Sequence, residues 1–469
     1  MIRKRFLVGV ATAAMVLMPM CAKAQSDSTA TVLSLPKAIE IALSESPTVK
    51  VANNEITKQE YGRKGTLASL FPQIDFGADY SRTIKKQVMY MSGSMPGMSG
   101  STEGEGESGE APSRANTGIA VGRNNTWSLG FSASLPVIAP QLWKQLSITA
   151  DQVELAVEQS RESKIKLIGN VRRAYYTVML AKDSYNVYKE TYQNTLDNYT
   201  DIKQKFDQGL VSEYDLIRAD VAVKNVEPSL FDAQNAVVLA KWQLKALMGI
   251  DLNAEIDCSE SLGNYADRLE EVYMQIDTTA LTSNSTMRQL AMQATMLRKT
   301  KEAAQAAYYP TLGVAFSYKW NAMSEDFKFK DYRWDPYAMI GVSLTIPIFS
   351  GGKRYNSLRQ AKVDMANLEL TRFDTERNLL VALKSYTDQM KTSIRSHNAA
   401  EQGMMQARKG YDIAKKRYDT GAGTLLEIND SRLSLTQAQL QSHQAVYNFL
   451  NAKASLDETL GKDETTINE

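Results

Sequence analysis

The acidic residues with the most suggestive spacing in this chain stand beside two similar turns. Residues 203–215 read KQKFDQGLVSEYD and residues 415–427 read KKRYDTGAGTLLE, so an aromatic residue, an aspartate and a glycine recur at matching positions. Asp215 and Glu427 each follow a serine or threonine by three residues, which is the spacing of a capping box at a helix start. Asp430 follows Glu427 by another three residues, so the two carboxylates can share one helix face. The pattern predicts two helical hairpins of one design.

Other reactive side chains form no recognisable catalytic or metal site. The chain has two histidines, of which His397 falls on a helix seam and His443 is isolated in the sequence. Four methionines resemble a soft-metal cluster, although low-complexity composition is the simpler explanation; they are Met89, Met91, Met95 and Met98. No nucleophile, phosphate-binding loop or metal-ligand spacing appears. We therefore expect no enzyme, no bound metal and no cofactor.

Charge and the first residues indicate the compartment and exclude one class of partner. The 54 basic and 53 acidic residues are mixed along the chain, which argues against a nucleic-acid surface. Residues 1–24 predict a secretory signal peptide, with basic residues at 3–5, an apolar segment and an AKA cleavage site. The alternative is cleavage before Cys21 and lipidation of that cysteine. If Cys21 leaves with the signal, Cys258 remains alone and no intramolecular disulfide can form.

Beyond the signal, the apolar pattern changes twice from a helical to an alternating period. Strands with one apolar face are predicted at residues 73–81, 127–135, 312–320 and 338–346. Their length of about ten residues suits a tilted membrane strand. No apolar run approaches the roughly 18 residues of a membrane helix, so entry into a membrane would require a closed β-barrel. The Gly-, Ser- and Glu-rich residues 91–113 predict a long flexible loop.

Each strand pair is followed by an unusually long helix. Residues 141–207 and 353–419 each predict about 67 residues of helix, or about 100 Å. In the second helix, apolar and small residues from Leu379 to Tyr418 alternate steps of four and three, which is coiled-coil periodicity. Shorter return helices follow both turns.

These elements give a mostly α fold with a membrane β part, built from an internal tandem duplication. The predicted divisions are a signal peptide (1–24), N-terminal helices (25–70), a strand pair with a long loop (71–136), a helical hairpin (137–250), a linker (251–281), the first helix of the second repeat (282–309), its strand pair (310–347), its helical hairpin (348–461) and a tail (462–469).

Strand number suggests an oligomer. Four strands are too few to close a barrel, and the eight strands of a dimer would enclose an interior filled by side chains. Three chains would supply twelve strands. We therefore expect a trimeric twelve-stranded β-barrel, with four strands per chain, continued by a long coiled-coil α-helical barrel.

Several short motifs in their duplicated order resemble the TolC family of outer-membrane efflux proteins. They are the opening LSLPKAIEIALSESP, the FP and YP breaks before strands, the SLPVI and TIPIFSGGKR strand-to-helix junctions, and the G-L-V and G-A-G turns. The resemblance covers essentially the whole mature chain. It implies a homotrimer in the lipid bilayer of the outer membrane, with a periplasmic α-helical tunnel. It also implies a closed tip that docks a periplasmic adaptor (membrane fusion protein), which works with an inner-membrane pump.

The resemblance also implies roles for residues at the turns. Aligned on the glycines, Asp215 and Tyr418 fall on the pair that links the two turns and gates the tip in the family. Glu427 and Asp430 fall on its constriction acids, which in a trimer would form a ring of six carboxylates that holds cations. Gly423 stands where the family has a basic residue, so one link is missing. Capping alone is the alternative explanation for Asp215 and Glu427.

The turns themselves are the expected adaptor-docking surface, because small residues let a partner helix approach closely. This surface comprises Gly209, Leu210, Val211, Gly421, Ala422, Gly423 and Thr424. The alternative is that the glycines serve only as helix caps.

The expected function is an outer-membrane export channel that receives substrates from the pump and is opened at its periplasmic tip. One alternative is a type I protein-secretion duct, which the same fold would serve. Another is a trimeric coiled-coil surface adhesin, but an adhesin needs no second copy with its own strand pair.

Overall fold

Helices form most of the structure, and four long strands form one sheet. The structure is a computed structural model that describes residues 31–89, 119–274 and 281–462. The α-helices are α1 (Leu35–Glu45), α2 (Pro47–Ala68), α3 (Pro140–Asp207), α4 (Glu213–Met248), α5 (Gly263–Ala266), α6 (Leu269–Met274), α7 (Ser285–Ala306), α8 (Lys353–Asp419) and α9 (Leu425–Leu460). The strands are β1 (Thr31–Leu33), β2 (Gln73–Arg82), β3 (Gln87–Met89), β4 (Ile119–Val121), β5 (Asn125–Ile138), β6 (Ile256–Cys258), β7 (Thr311–Ser324) and β8 (Asp335–Thr345). Short 3-10 turns lie at Leu281–Ser283 and Phe329–Asp331.

Three sequence-based predictions fall outside the described residues. They are the signal peptide 1–24 with the possible lipidation site Cys21, the loop 91–113, and the methionine cluster apart from Met89.

The two halves of the chain repeat one order of elements. α2 and α7 both contain 22 residues, and each precedes a strand pair. α3 and α8 contain 68 and 67 residues, and their return helices α4 and α9 contain 36 each. The long helices match the predicted ranges 141–207 and 353–419, and each is about 100 Å long at a rise of 1.5 Å per residue. α4 runs without a break past Pro228.

Burial confirms the predicted seam of the second long helix. All seam positions from Leu379 to Tyr418 are buried or half-buried. The fully buried ones are Leu383, Met390, Ser393, His397 and Ala414. α8 packs against α9, as α3 packs against α4, and each return helix is about half as long as its partner. Because most of each long helix is polar, seam packing rather than intrinsic helix propensity stabilises it.

A search of the described helices for an apolar stretch long enough to span a bilayer finds none.

The four long strands form one antiparallel sheet in the order β2-β5-β7-β8. The two predicted strand pairs are therefore joined edge to edge, through β5 and β7. The register pairs Phe76 with Phe131, Phe131 with Tyr318, and Tyr318 with Ala338. Directly paired residues lie on the same face of a sheet, so the apolar sets of all four strands share one face. The prediction of one apolar face per strand is confirmed.

The main hydrophobic core lies where the middle of α3 meets the ends of α4 and α9. Tyr175, Phe449 and Met179 are fully buried there. The core also includes a pair of short strands that the sequence does not predict, because β1 pairs in parallel with β6 inside the region described only as a linker. The Tyr175 hydroxyl donates to the Leu33 carbonyl at 2.9 Å. Cys258 is buried at this point, and burial raises the pKa of its thiol to about 11, so the thiolate is scarce at neutral pH.

His443 is isolated in the sequence but has ionisable neighbours in the fold. His443 lies on α9 close to His397 of α8 and to the carboxylate of Asp183, and burial lowers its pKa. The His397 Nδ1 atom is 3.4 Å from the hydroxyl oxygen of Ser442. The two histidines are 46 positions apart in the sequence, and the packing of α8 on α9 brings them within electrostatic range of each other.

Gly461 ends α9 and lies against the start of the second half. Its φ of +71° is left-handed, and a Cβ at this position would overlap the Ser283 carbonyl. That carbonyl also accepts a 2.6 Å bond from the Arg161 guanidinium. The Asn284 side-chain amide donates to the Thr459 carbonyl at 2.6 Å. Close backbone contact therefore joins the end of α9 to the loop before α7.

Gly461→Ala is expected to destabilise the protein more than Gly209→Ala does. Gly209 has a similar φ of +73° but nothing within 4 Å of a Cβ, so it isolates the cost of the left-handed conformation, about 1–2 kcal/mol. Gly461→Ala adds a steric overlap that costs about 1–3 kcal/mol more. Thermal unfolding followed by circular dichroism at one fixed protein concentration measures both. Equal melting temperatures would contradict the close contact at Ser283.

Candidate functional site

The first hairpin turn joins α3 to α4 through a glycine cap and a serine cap. Gly209 has a φ of +73°, and its N–H donates to the Phe206 carbonyl at 2.8 Å. Ser212 then caps α4, because its hydroxyl oxygen accepts the Asp215 N–H at 3.2 Å and its hydroxyl donates to the Asp215 carboxylate at 2.7 Å. The predicted cap at the start of α4 is confirmed.

The second turn repeats this construction between α8 and α9. Gly421 has a φ of +75°, and its N–H donates to the Tyr418 carbonyl at 2.9 Å. The Thr424 hydroxyl oxygen accepts the Glu427 N–H at 3.3 Å. Both turns therefore use a left-handed glycine to stop one helix and a hydroxyl to start the next.

The two turns pack against each other. Ile202 of α3, Ala219 of α4 and Leu425 of α9 form a small buried cluster at this end of the molecule. Four partly buried residues surround it, namely Tyr199, Val211, Leu216 and Tyr418. We call the two turns with this cluster the tip.

Tyr418 and Asp215 lie near each other at the tip, but each has another partner. Burial raises the pKa of Tyr418, and the nearby Asp215 carboxylate raises it further, so the hydroxyl stays protonated at neutral pH. The Lys205 ammonium lies 5.3 Å from the centre of the Tyr418 ring. The Asp215 carboxylate accepts from Ser212, and no hydrogen bond between Asp215 and Tyr418 is present in the described chain.

The two remaining acids differ in their charge environment. The Glu427 carboxylate is 3.0 Å from the Arg417 guanidinium. Asp430 is exposed, and it forms no ion pair among the described residues. Sequence reasoning missed Arg417, because a basic residue in the last turn of a helix is expected there simply to offset the helix dipole. The short turn between Arg417 and Glu427 could have indicated this ion pair, because it brings the end of α8 close to the start of α9.

The residues of the expected docking surface fall into two groups. Leu210 is 70 % exposed, and Gly209, Gly421, Ala422 and Thr424 are exposed as well. Val211 and Gly423 are half-buried. Val211 packs on the tip cluster, and a Cβ on Gly423 would lie 3.0 Å from both Arg417 Cβ and the Tyr418 nitrogen. Gly423 is thus small because the end of α8 fills the space beside it.

Histidine, cysteine and acidic side chains give no metal centre in the part of the chain that the structure describes, where no three of them are grouped to hold an ion.

A family model described as outer membrane efflux protein matches residues 38–250 and 278–462. The chain belongs to the outer membrane efflux protein family. Membership makes it an outer-membrane efflux channel of the TolC type, as the resemblance implied.

Known channels of this type are about a fifth to a quarter identical to this chain over the aligned residues. The outer membrane protein TolC of Escherichia coli is 23 % identical over 357 residues, which cover 74 % of this chain and 71 % of that protein. The alkaline protease secretion protein AprF of Pseudomonas aeruginosa is 23 % identical over 312 residues, or 65 % of this chain and 63 % of that one. The crystal structure of the Campylobacter jejuni CmeC outer membrane channel has a TM-score of 0.67 at 19 % identity, covering 92 % of this chain and 88 % of that one. This protein therefore has the fold of a solved channel.

Proposed function

We propose that this chain forms the outer-membrane channel of a tripartite export system. Three copies would form a twelve-stranded barrel in the bilayer and a helical tunnel in the periplasm. The tunnel would receive substrate from an inner-membrane pump through a periplasmic adaptor. The role is passage of cargo rather than catalysis.

The four-stranded sheet is the observation that carries this proposal. Its edge strands β2 and β8 have no outer neighbour within the described chain. The apolar face of β8 is open, since Ile340, Val342 and Leu344 are 73 %, 69 % and 61 % exposed. Unpaired edges invite pairing with another chain, and in a bilayer every backbone group must find such a partner. Pairing between copies and contact with lipid would satisfy both demands.

The long helix α8 supports a trimer in the same way. Several of its large apolar side chains lie away from α9 and are more than half exposed, among them Val363, Leu370, Phe373 and Val381. Exposed apolar surface along a helix of this length indicates a protein contact. Neighbouring copies in a helical tunnel would cover it.

The tip is the proposed docking site for the adaptor. Its outer surface is formed by Gly209, Leu210, Gly421, Ala422 and Thr424. Val211 and Gly423 would support these residues from the inner side. Small residues at the turns leave backbone within reach of a partner hairpin.

The resemblance to AprF, whose name describes alkaline protease secretion, favours a type I protein-secretion duct as a second candidate. The surface adhesin is less favoured, because it gives no role to a sheet with open edges and an exposed apolar face.

The purified protein is expected to be a trimer that conducts ions when added to a planar lipid bilayer. Mass measurement in detergent gives the number of copies, and single-channel recording gives the conductance. A trimer that inserts without conducting ions would reject the channel function and favour the adhesin. Co-purification with an adaptor and pump, or with a secreted protein, separates the two export functions.

Replacing the proposed gate residues Asp215 or Tyr418 is expected to raise the conductance of the closed channel. Asp215→Ala removes a carboxylate near the other turn, and Tyr418→Phe removes the hydroxyl while keeping the packing of the ring. Ser212→Ala is the matched control, because it removes the helix cap, at a cost of about 1 kcal/mol, and keeps the carboxylate.

If Asp215 acts only as a cap, Ser212→Ala and Asp215→Ala will give the same conductance, and Tyr418→Phe will leave it unchanged. That result would reject the gate.

The double substitution of Glu427→Gln and Asp430→Asn is expected to weaken block of the channel by divalent cations. A ring of carboxylates raises the local concentration of cations, so its loss should raise the half-blocking Mg²⁺ concentration about tenfold or more. Asp419→Asn is a control for net charge, since Asp419 is exposed on the same turn but precedes Gly421. If divalent cations block the double variant as they block the wild type, Glu427 and Asp430 do not form the cation-binding constriction.

A further inference from the structure

Arg417 and Glu427 form an ion pair across the second turn, and the pair joins the two helices of one hairpin. Arg417 lies in the last turn of α8 and Glu427 in the first turn of α9. The guanidinium Nη1 is 3.0 Å from the carboxylate Oε2. Its other terminal nitrogen, Nη2, donates to the Ala422 carbonyl at 3.0 Å. One guanidinium therefore bonds both the turn and the helix that follows it.

The backbone around Arg417 fixes where its side chain begins. The Arg417 carbonyl accepts N–H bonds from Ala422 at 2.8 Å and from Gly423 at 3.0 Å. Gly423 packs directly on the Arg417 Cβ. The planar guanidinium has several donors in a rigid fork, so two fixed acceptors hold it in one orientation. Lys415 and Lys416, its neighbours in the sequence, are exposed and form no ion pair among the described residues.

This pair gives the two acids of α9 different electrostatic roles. Glu427 has a cation in contact with its carboxylate, whereas Asp430 has none within the described chain. The side chains of Arg417 and Glu427 are 53 % and 40 % exposed, so solvent and salt weaken the attraction between them. A mobile cation that approaches Glu427 would have to compete with a guanidinium already in place.

The pair lies within one hairpin, which distinguishes it from the other contacts of the tip. The tip cluster and the contact of Lys205 with Tyr418 both join one hairpin to the other. Separation of the two hairpins would break those contacts. It would not require Arg417 and Glu427 to part, because both belong to the second hairpin.

We propose that Arg417 is a positioning residue that clamps Glu427 and screens its charge, so that Asp430 alone sets the affinity of the tip for cations. The proposal rests on the proposed channel function and goes beyond it, because it assigns the two constriction acids unequal roles and names the residue responsible. Because the pair lies within one hairpin, Asp430 is then the acid that binds cations in both the closed and the open state.

The test is block of the channel by Mg²⁺ in a planar bilayer at an ionic strength of about 0.15 M, where exposed charges more than about 8 Å apart are largely screened. Arg417→Gln is expected to lower the half-blocking Mg²⁺ concentration about tenfold, because it frees a second carboxylate per chain. Lys416→Gln removes the same charge from the same helical turn without touching Glu427, and it is expected to change block less than about twofold. Arg417→Lys keeps the charge and should stay closer to the wild type.

Substitution of the acids tests the unequal roles. Asp430→Asn should weaken block strongly, because it removes a carboxylate that has no cationic partner among the described residues. In the Arg417→Gln background, Glu427→Gln should return block close to its wild-type value. The proposal is overturned if Lys416→Gln equals Arg417→Gln, or if the double variant of Arg417→Gln and Glu427→Gln loses block as strongly as Asp430→Asn.

A second measurement does not depend on conduction, so it separates failure of this proposal from failure of the channel function. Carbodiimide labelling of carboxylates, quantified by mass spectrometry on the folded protein, should modify Asp430 faster than Glu427. Arg417→Gln should raise labelling of Glu427 severalfold relative to Asp430, and Lys416→Gln should not. Equal labelling of the two acids in the wild type would reject the clamp, whether or not the protein conducts.

Discussion

Side-by-side packing of each long helix on its return helix is the interaction on which the rest of the structure depends. A polar helix of 67 or 68 residues gains most of its stability from packing against other helices. Its apolar residues form a narrow seam, so it needs a partner along that seam. The seam of α8 is covered by α9, and the turn between them brings the return helix into register. Ser212 and Thr424 therefore matter beyond their local bonds, since they set where the return helices begin.

The opposite end of the long helices is governed by a different constraint. α3 begins two positions after the end of β5, and α8 begins eight positions after the end of β8, so short connections join the sheet to both long helices. The four strands align their apolar residues on one face, with Phe76, Phe131 and Tyr318 in one row. That face is open on β8 and partly covered by Phe327 and Phe329 at one end, and the two sheet edges have no outer neighbour within the described chain. One chain thus buries the seams of its helical hairpins, whereas the apolar face of β8 and part of α8 stay exposed within the described chain.

Elements with a strong local period were predictable from the sequence, whereas contacts between distant segments were not. The range 353–419 agrees with α8, the alternating residues locate β2, β5, β7 and β8, and the Ser-x-x-Asp spacing locates the start of α4. The pairing of β1 with β6 was missed, because strands of three residues carry no measurable period. The bond between His397 and Ser442 and the bond from Arg417 to Glu427 were missed for a related reason. Both depend on two helices lying side by side, which periodicity predicts, and on their exact axial offset, which it does not.

At the tip, the contacts within each hairpin differ from the contacts between the two hairpins, although both sets involve some of the same residues. Contacts within a hairpin comprise the glycine caps, the hydroxyl caps and the bonds of Arg417, and all of them involve backbone groups or residues fixed by the turn. Contacts between hairpins comprise a small apolar cluster and the approach of Lys205 and Asp215 to Tyr418. The second set is smaller, more exposed and without a direct hydrogen bond from Asp215 to Tyr418. A force that separates the hairpins would therefore break the second set first. In a channel of the proposed kind, the gate would open between rigid hairpins, and the acids on α9 would keep their local partners as they move apart.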